Sequence, residues 1–194
     1  MKRGAYHHGD LKRALSEAGL ELLAELGPDL SLRQVAQRVG VTHGAAYRHF
    51  EDREALLAEL ARLGFVDLRA RLQRATRGAP DARGKLEAFL KAYLRFAWER
   101  PAQYEVMFGR RLNESGDFPD LEDAVLAAVR FLQSTVSDYL GNDDPIRARD
   151  LGIGLWSFAH GFTISVLRRR IHVQSLRAAQ DYMVRVARPF LDGM

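Results

Sequence analysis

At 194 residues the chain has room for one domain, or for a small domain joined to a larger one. Its hydrophobic content of 47% is ample for a core, and its net charge of +4 suits an anionic partner without requiring one. The absence of cysteine excludes disulfides, thiolate metal sites and thiol-based redox sensing, while the lack of a long apolar run or signal-peptide core argues against a membrane span and for the cytoplasm.

The basic excess is local. Lys2, Arg3, Lys12 and Arg13 face one acid, Asp10, in the first thirteen residues. Residues 1–9 read as an irregular segment, either a basic arm in which Lys2 and Arg3 reach phosphates or a minor groove, or a frayed end. Asp10 is a good cap for a first helix carrying Leu11, Ala14, Leu15, Ala18, Leu22 and Leu26 at helical spacing. Glu17, Glu21 and Glu25 share another face and read as solvated; Gly27-Pro28 ends the helix.

Ser31 to Arg53 carries the strongest local signal. Ser31 with Gln34 forms a capping-box pair, and Leu30 with Val35 has the spacing of a hydrophobic staple. The helix should run to Val39, where Gly40 supplies a left-handed stop, and Thr42 caps a new helix two residues later. Ala36 is small enough for a close crossing, and Val35, Val39, Val41 and Ala46 give the pair an apolar inner side. That is the composition of a helix-turn-helix whose second helix enters a DNA major groove, although capped helical hairpins also occur in proteins that bind no DNA. His43, Gly44 and Ala45 open the second helix, where base edges would be met; Tyr47, Arg48, His49 and Arg53 can donate to phosphates.

The pattern Gly40-Val41-Thr42, Tyr47, His49-Phe50, Asp52-Arg53, Leu56-Leu57 resembles the DNA-binding domain of the tetracycline-repressor (TetR) family of transcriptional regulators over about residues 10 to 57. It departs at Arg53, where the family usually has lysine. The resemblance implies Arg33 and His43 as base contacts and Tyr47, His49 and Arg53 as phosphate contacts. Gly44-Ala45-Ala46 leaves little side chain for base readout.

Asp52 should cap a long helix to about residue 76, apolar through Leu56, Leu57, Leu60, Leu63 and Leu68, and Gly78-Ala79-Pro80 breaks it. Leu86, Phe89, Leu90, Tyr93, Leu94, Phe96 and Ala97 mark the next helix, Pro101 starts a short one with Tyr104, Met107 and Phe108, and Pro119 opens another through Leu140. These aromatics and Met107 suit either an apolar ligand pocket with polar anchors such as Tyr93, Tyr104 and Asn113, or an ordinary core, which spacing alone favours. The family resemblance implies an effector pocket there, for which Phe89, Tyr93, Phe96, Tyr104, Met107, Phe108, Phe131 and His160 are the candidates and Asn113 a further polar anchor.

Residues 145–169 leave almost no polar face, so that helix must be buried on several sides. Gly154, Ser157, Gly161 and Ser165 form a small-residue groove, and the last helix, about 175–191, has an apolar side with Met183, Val186 and Phe190. The pair predicts a two-fold four-helix interface through Trp156, Ser157, Gly161, Ser165, Met183, Val186 and Phe190, with a buried helix in a monomer as the alternative. Trp156-x-x-x-His160-Gly161 also resembles the Trp-His-Gly subgroup of the family. Arg168-Arg169-Arg170 reads as stabilisation of a helix C-terminus.

The expected architecture is all-α, with about nine helices. A three-helix DNA-binding domain over residues 1–57 would precede an effector-binding and dimerisation domain over 58–194. The function implied is a homodimeric, ligand-responsive repressor on a near-palindromic operator in double-stranded DNA, with an effector-independent regulator or activator as the alternative. The competing reading, an enzyme or metal protein on a helical bundle, lacks its residues. No Glu-x-x-His pair, His-Glu-x-x-His motif or phosphate-binding Gly-rich loop is present, so no catalytic residue, metal ligand or cofactor is assigned.

Overall fold

The computed structural model describes residues 8–109, 112, 116–141 and 144–193. Among these it contains nine α-helices and no strand: α1 (His8–Leu26), α2 (Leu32–Val39), α3 (His43–Tyr47), α4 (Arg53–Arg77), α5 (Ala82–Glu99), α6 (Pro101–Gly109), α7 (Pro119–Leu140), α8 (Pro145–Leu167) and α9 (Leu176–Asp192). A 3₁₀ turn, Gly27–Asp29, joins α1 to α2. No described helix is long and apolar enough to cross a membrane.

Most helix starts are fixed by short side chains next to them. Asp52, Asp81, Asp144 and Ser175 accept from the N–H groups of Ala55, Gly84, Arg147 and Ala178 at 2.7, 2.6, 2.9 and 3.2 Å. Each satisfies one of the donors a helix leaves free at its first turn, worth about 1 kcal/mol against alanine.

The chain divides into two units. The first takes the residues up to Gly64 together with Ala102–Asp123, and the second takes Phe65–Pro101 and the residues from Ala124 onward. In the first unit α2 packs on α1 and α3. Leu15, Leu23, Leu30, Val35, Ala46, Leu56 and Leu60 are all but sealed from solvent. Gly64 lets α6 lie close to α4: a Cβ there would stand 2.4 Å from Met107 Sδ. Beside it, Gln103 Nε2 donates to the Leu60 carbonyl at 3.0 Å.

In the second unit α5 packs on α8 and α9, and α8 packs on α9. Leu86, Leu90, Phe96, Leu155, Ala159, Met183 and Leu191 form its core. Tyr139 Oη donates to the Leu191 carbonyl at 2.9 Å, Lys85 pairs with Asp138 at 2.8 Å, and Arg83 pairs with Asp192. These contacts gather the ends of α5, α7 and α9. Met183, expected at an interface between copies, is instead fully buried inside this unit. At the end of α8 the three arginines are exposed, and Arg169 takes a left-handed φ of 54° as the chain turns away.

Two glycines of the first unit should respond to alanine with opposite signs. Both have open space where a Cβ would sit, but Gly40 has φ 77° and Gly44 lies within α3. Gly40→Ala should cost about 1–2 kcal/mol for the left-handed backbone, and Gly44→Ala should gain up to about 1 kcal/mol of helix propensity. Denaturant midpoints of the two variants measure this, and shifts of the same sign would contradict it.

Candidate nucleic-acid interface

The reader is built from the turn outward. Ser31 Oγ accepts from the Gln34 N–H at 3.3 Å and the Ser31 N–H donates to Gln34 Oε1 at 2.8 Å, a closed capping box. At the other end of α2, Gly40 is left-handed and the Val41 N–H donates back to the Ala36 carbonyl at 3.0 Å. Thr42 Oγ1 then accepts from the Ala45 N–H at 3.3 Å and starts α3. Only Gly40 and two further residues separate the helices, so the chain must bend abruptly between them.

This bend presents Arg33, Thr42, His43, Gly44, Tyr47 and Arg48 to solvent. The His43 and Tyr47 rings meet edge to face at a centroid distance of 4.5 Å, and Tyr47 keeps 44% of its surface exposed. Among the described residues neither Arg33 nor Arg48 pairs with an acid. His49 is half-buried. Ala45, expected among the base-facing positions, is turned inward and 9% exposed, because the apolar side of α3 needs it beside Ala46. Lys2 and Arg3 lie outside the described residues.

Arg53 is committed to the fold. Its Nε donates to the Leu30 carbonyl at 2.9 Å, its Nη2 donates to the Pro28 carbonyl, and Asp29 lies 3.6 Å away. The fork satisfies two carbonyls that the 3₁₀ turn leaves without helical partners. Lysine, which has no fork, could not serve both so squarely.

The acids of α1 are also more occupied than their exposure suggests. Glu25 takes Arg38 of α2 in a two-pronged pair at 3.1 and 2.7 Å, and Glu21 meets the same guanidinium at 3.3 Å. The Arg38 hydrogen bond holds the Glu25 carboxyl below its ordinary range. Sequence spacing shows these glutamates on one face but cannot show a cation brought to them from another helix.

A second cluster lies in the second unit. Tyr93 is 2% exposed, and its Oη lies 3.3 Å from His160 Nδ1. Phe89 stacks on Tyr93 at 6.3 Å between centroids, and Trp156 lies 5.5 Å from the His160 ring. Phe96 is buried and Phe131 half-buried. One turn beyond His160, the hydroxyl of Thr163 is buried with no hydrogen-bond partner. Its only trace in the sequence is a threonine in an apolar helix. Tyr104, Met107 and Phe108 belong to the first unit, where Tyr104 and Met107 are buried. Asn113 lies outside the described residues. No group of three histidine and carboxylate side chains among the described residues has metal-binding geometry.

The family model described as "Tetracyclin repressor-like, C-terminal domain" matches residues 86–187, more than half of the chain. The chain belongs to the TetR family. The model described as "Bacterial regulatory proteins, tetR family" matches residues 15–60, the bent helix pair and its supports. TetR-family proteins are DNA-binding transcriptional regulators rather than enzymes.

A Rhodococcus sp. protein of unknown function is 27% identical, with a TM-score of 0.82 over 99% of each chain. A bacterial regulatory protein in the tetR family from Rhodococcus is 19% identical, with a TM-score of 0.68 over 91% of this chain and 94% of that one. A ketosteroid transcriptional regulator of Mycobacterium tuberculosis is 20% identical, with a TM-score of 0.62 over 98% of each. The last two show the shared TetR fold and nothing finer. No curated protein sequence matches.

Two outcomes test these assignments. Arg53→Lys should cost about 1–2 kcal/mol by loosening the fork on two carbonyls, measured by denaturant unfolding; unchanged stability would return Arg53 to a purely external role. Burial holds His160 neutral below the ordinary imidazole value of 6.5. Just below that pH the unfolded chain binds a proton that the folded chain refuses, so stability should drop as the pH is lowered. His160→Gln should flatten that slope just below pH 6.5, and an unaltered slope would assign it to other groups.

Proposed function

We propose that this chain is a homodimeric, ligand-responsive repressor that binds a near-palindromic operator in double-stranded DNA. The reading rests first on the bent α2–α3 pair, with exposed Arg33, His43, Tyr47 and Arg48 around an exposed glycine and a buried inner face. Such a pair offers donors to phosphates on its flanks and one small, open helix end to the groove floor. Base discrimination is assigned to Arg33 and His43, and phosphate contact to Tyr47, Arg48 and His49. Residues 1–57 act as the reader and residues 58–194 serve effector and dimer; the place of action is the cytoplasm.

Two features support the finer parts. Tyr93 and His160 meet beside Phe89, and the Thr163 hydroxyl one turn along α8 is buried without a partner. That chemistry suits an effector that is mostly apolar with a hydrogen-bonding group. The dimer is supported by α8, which leaves Ile153 55% and Trp156 39% exposed beside exposed Ser157 and Gly161, and by Val186 of α9 at 42%. A second copy would cover that stripe through Trp156, Ser157, Gly161, Ser165, Val186 and Phe190. Placement in the Trp-His-Gly subgroup is part of the same proposal and rests on Trp156, His160 and Gly161 alone.

The test is selection of duplexes from a random pool by the full chain. Selected sites should be near-palindromes with half-sites about one helical turn, or a multiple of it, apart. Tyr47→Phe should weaken selected and scrambled duplexes alike, whereas Arg33→Ala should lose about 1–3 kcal/mol at one base position. Ile153→Asp should yield a monomer in sedimentation and lose operator binding. A wild-type chain that is stably monomeric and indifferent to every duplex at low ionic strength would falsify the proposal.

A further inference from the structure

Within the second unit, α4, α5 and α9 border an open groove of about 550 Å³ whose rim is strongly cationic, with Arg74 and Arg95 exposed on it. Arg71 and Arg74 of α4 and Lys91 and Arg95 of α5 line it against a single acid, Glu99. Positions 71, 74 and 75 follow one face of α4, and 88, 91, 92, 95 and 99 follow one face of α5, so two helical stripes make the walls.

The four cations are not equivalent. Arg71 is fully occupied: its Nε lies 3.1 Å from both Asp67 oxygens and its Nη1 donates to Glu99 at 2.5 Å. That contact also uses the only acid on the wall. Lys91 has only a loose neighbour, Asp181 at 4.0 Å, which Arg177 approaches at the same distance. Among the described residues Arg74 and Arg95 have no acidic partner.

The space between these cations is kept open. Ala75, Ala88 and Ala92 contribute only methyl groups to its walls. Gln180 of α9, 7% exposed, donates from Nε2 to the Lys91 carbonyl at 2.8 Å and fixes the side of the groove from which Lys91 extends. Lys91 and Arg95 stand one turn apart, where like charges repel. A bound anion would relieve that repulsion, and an arginine fork matches phosphate oxygens two at a time.

We propose that this groove is a binding site for a small organic phosphate carrying two or more negative charges. It goes beyond the function proposed above and uses none of its residues. An alanine-walled groove of this volume has room for a ligand of nucleotide size. A duplex would engage cations spread along its backbones, whereas these four line one groove.

The test titrates the full chain with inorganic pyrophosphate at constant ionic strength, by calorimetry and thermal unfolding. Wild type should bind, with Tm raised by about 3–5 °C at tenfold excess over Kd. The double variant Arg74→Ala/Arg95→Ala should lose at least about tenfold in affinity, while Arg168→Ala/Arg170→Ala, two exposed arginines elsewhere, should not. Ala92→Leu keeps every cation but narrows the groove, and should also lose at least about tenfold in affinity, which tests the site independently should Arg74→Ala/Arg95→Ala prove unstable. Equal responses in all variants, or a response no larger than sodium chloride gives at the same ionic strength, would overturn the site. So would loss of duplex affinity in Arg74→Ala/Arg95→Ala with a reduced salt slope, which would make the groove part of a nucleic-acid surface.

Discussion

The stop at Gly40 and restart at Thr42 carry the geometry of the reader. A helix end leaves backbone carbonyls and N–H groups that must find partners, and here the bonds that make the turn all lie within a few residues. Val41 returns its N–H to Ala36, and Thr42 accepts from Ala45 before α3 has completed a turn. Because the partners are so near in sequence, the angle between α2 and α3 is fixed by local chemistry. Burial of Leu30, Val35, Ala46 and Phe50 then holds the bent pair as one body. Arg53 adds a third point by tying the start of α4 to the carbonyls of Pro28 and Leu30.

The same unit sorts its cations into those spent on the fold and those left for a partner. Arg13 meets Glu17 and Asp10, Arg38 meets Glu21 and Glu25, and Arg53 meets the 3₁₀ turn. Exposed pairs of this kind add little stability individually, but they neutralise the acids of α1 close to home. Among the described residues Arg33 of α2 and Arg48, just after α3, are exposed and in no ion pair. Net charge alone is a weak argument for an anionic partner; which cations are unspent is a stronger one.

What could be read from the sequence follows from the range of the interaction concerned. Most helix limits were legible because their causes are adjacent residues: Ser31 with Gln34, Gly40, Thr42, Asp52, and the prolines at 101 and 119; α1 is the exception, starting at His8 with Asp10 in its first turn. The start and stop of α2 and the span of α7 agree with the spacing to the residue. The direction a side chain takes at the margin of a helix face was not legible. Ala45 turns in, Met183 turns in while Val186 turns out, and Arg53 folds back on carbonyls more than twenty residues away. Glu21 and Glu25 read as solvated because Arg38 reaches them only once α2 has packed on α1. Each of these depends on a neighbour that periodicity does not name.

Helix α8 shows where a single chain leaves its own pattern unresolved. Its sequence is apolar nearly all round, which is stable only if most of its circumference is covered. Leu155, Ala159, Phe162 and Val166 are covered, while Ile153 and Trp156 are not. Gly154 sits against Phe190 of α9, with a Cβ position only 3.1 Å from that ring, so this end of the small-residue row serves packing within the chain. Gly161 has open space where a Cβ would lie, so that part of the row serves no internal contact. A helix that spends one glycine on its own neighbour and leaves another facing solvent beside exposed tryptophan has surface suited to a close-approaching helix. Covering large apolar side chains of this kind is worth roughly 1.5–3 kcal/mol each, enough for a few such residues on each of two copies to offset the entropy of association. That magnitude is why the proposed dimer is assigned to the exposed stripe of α8 and to Val186, and not to the apolar residues that the core already holds.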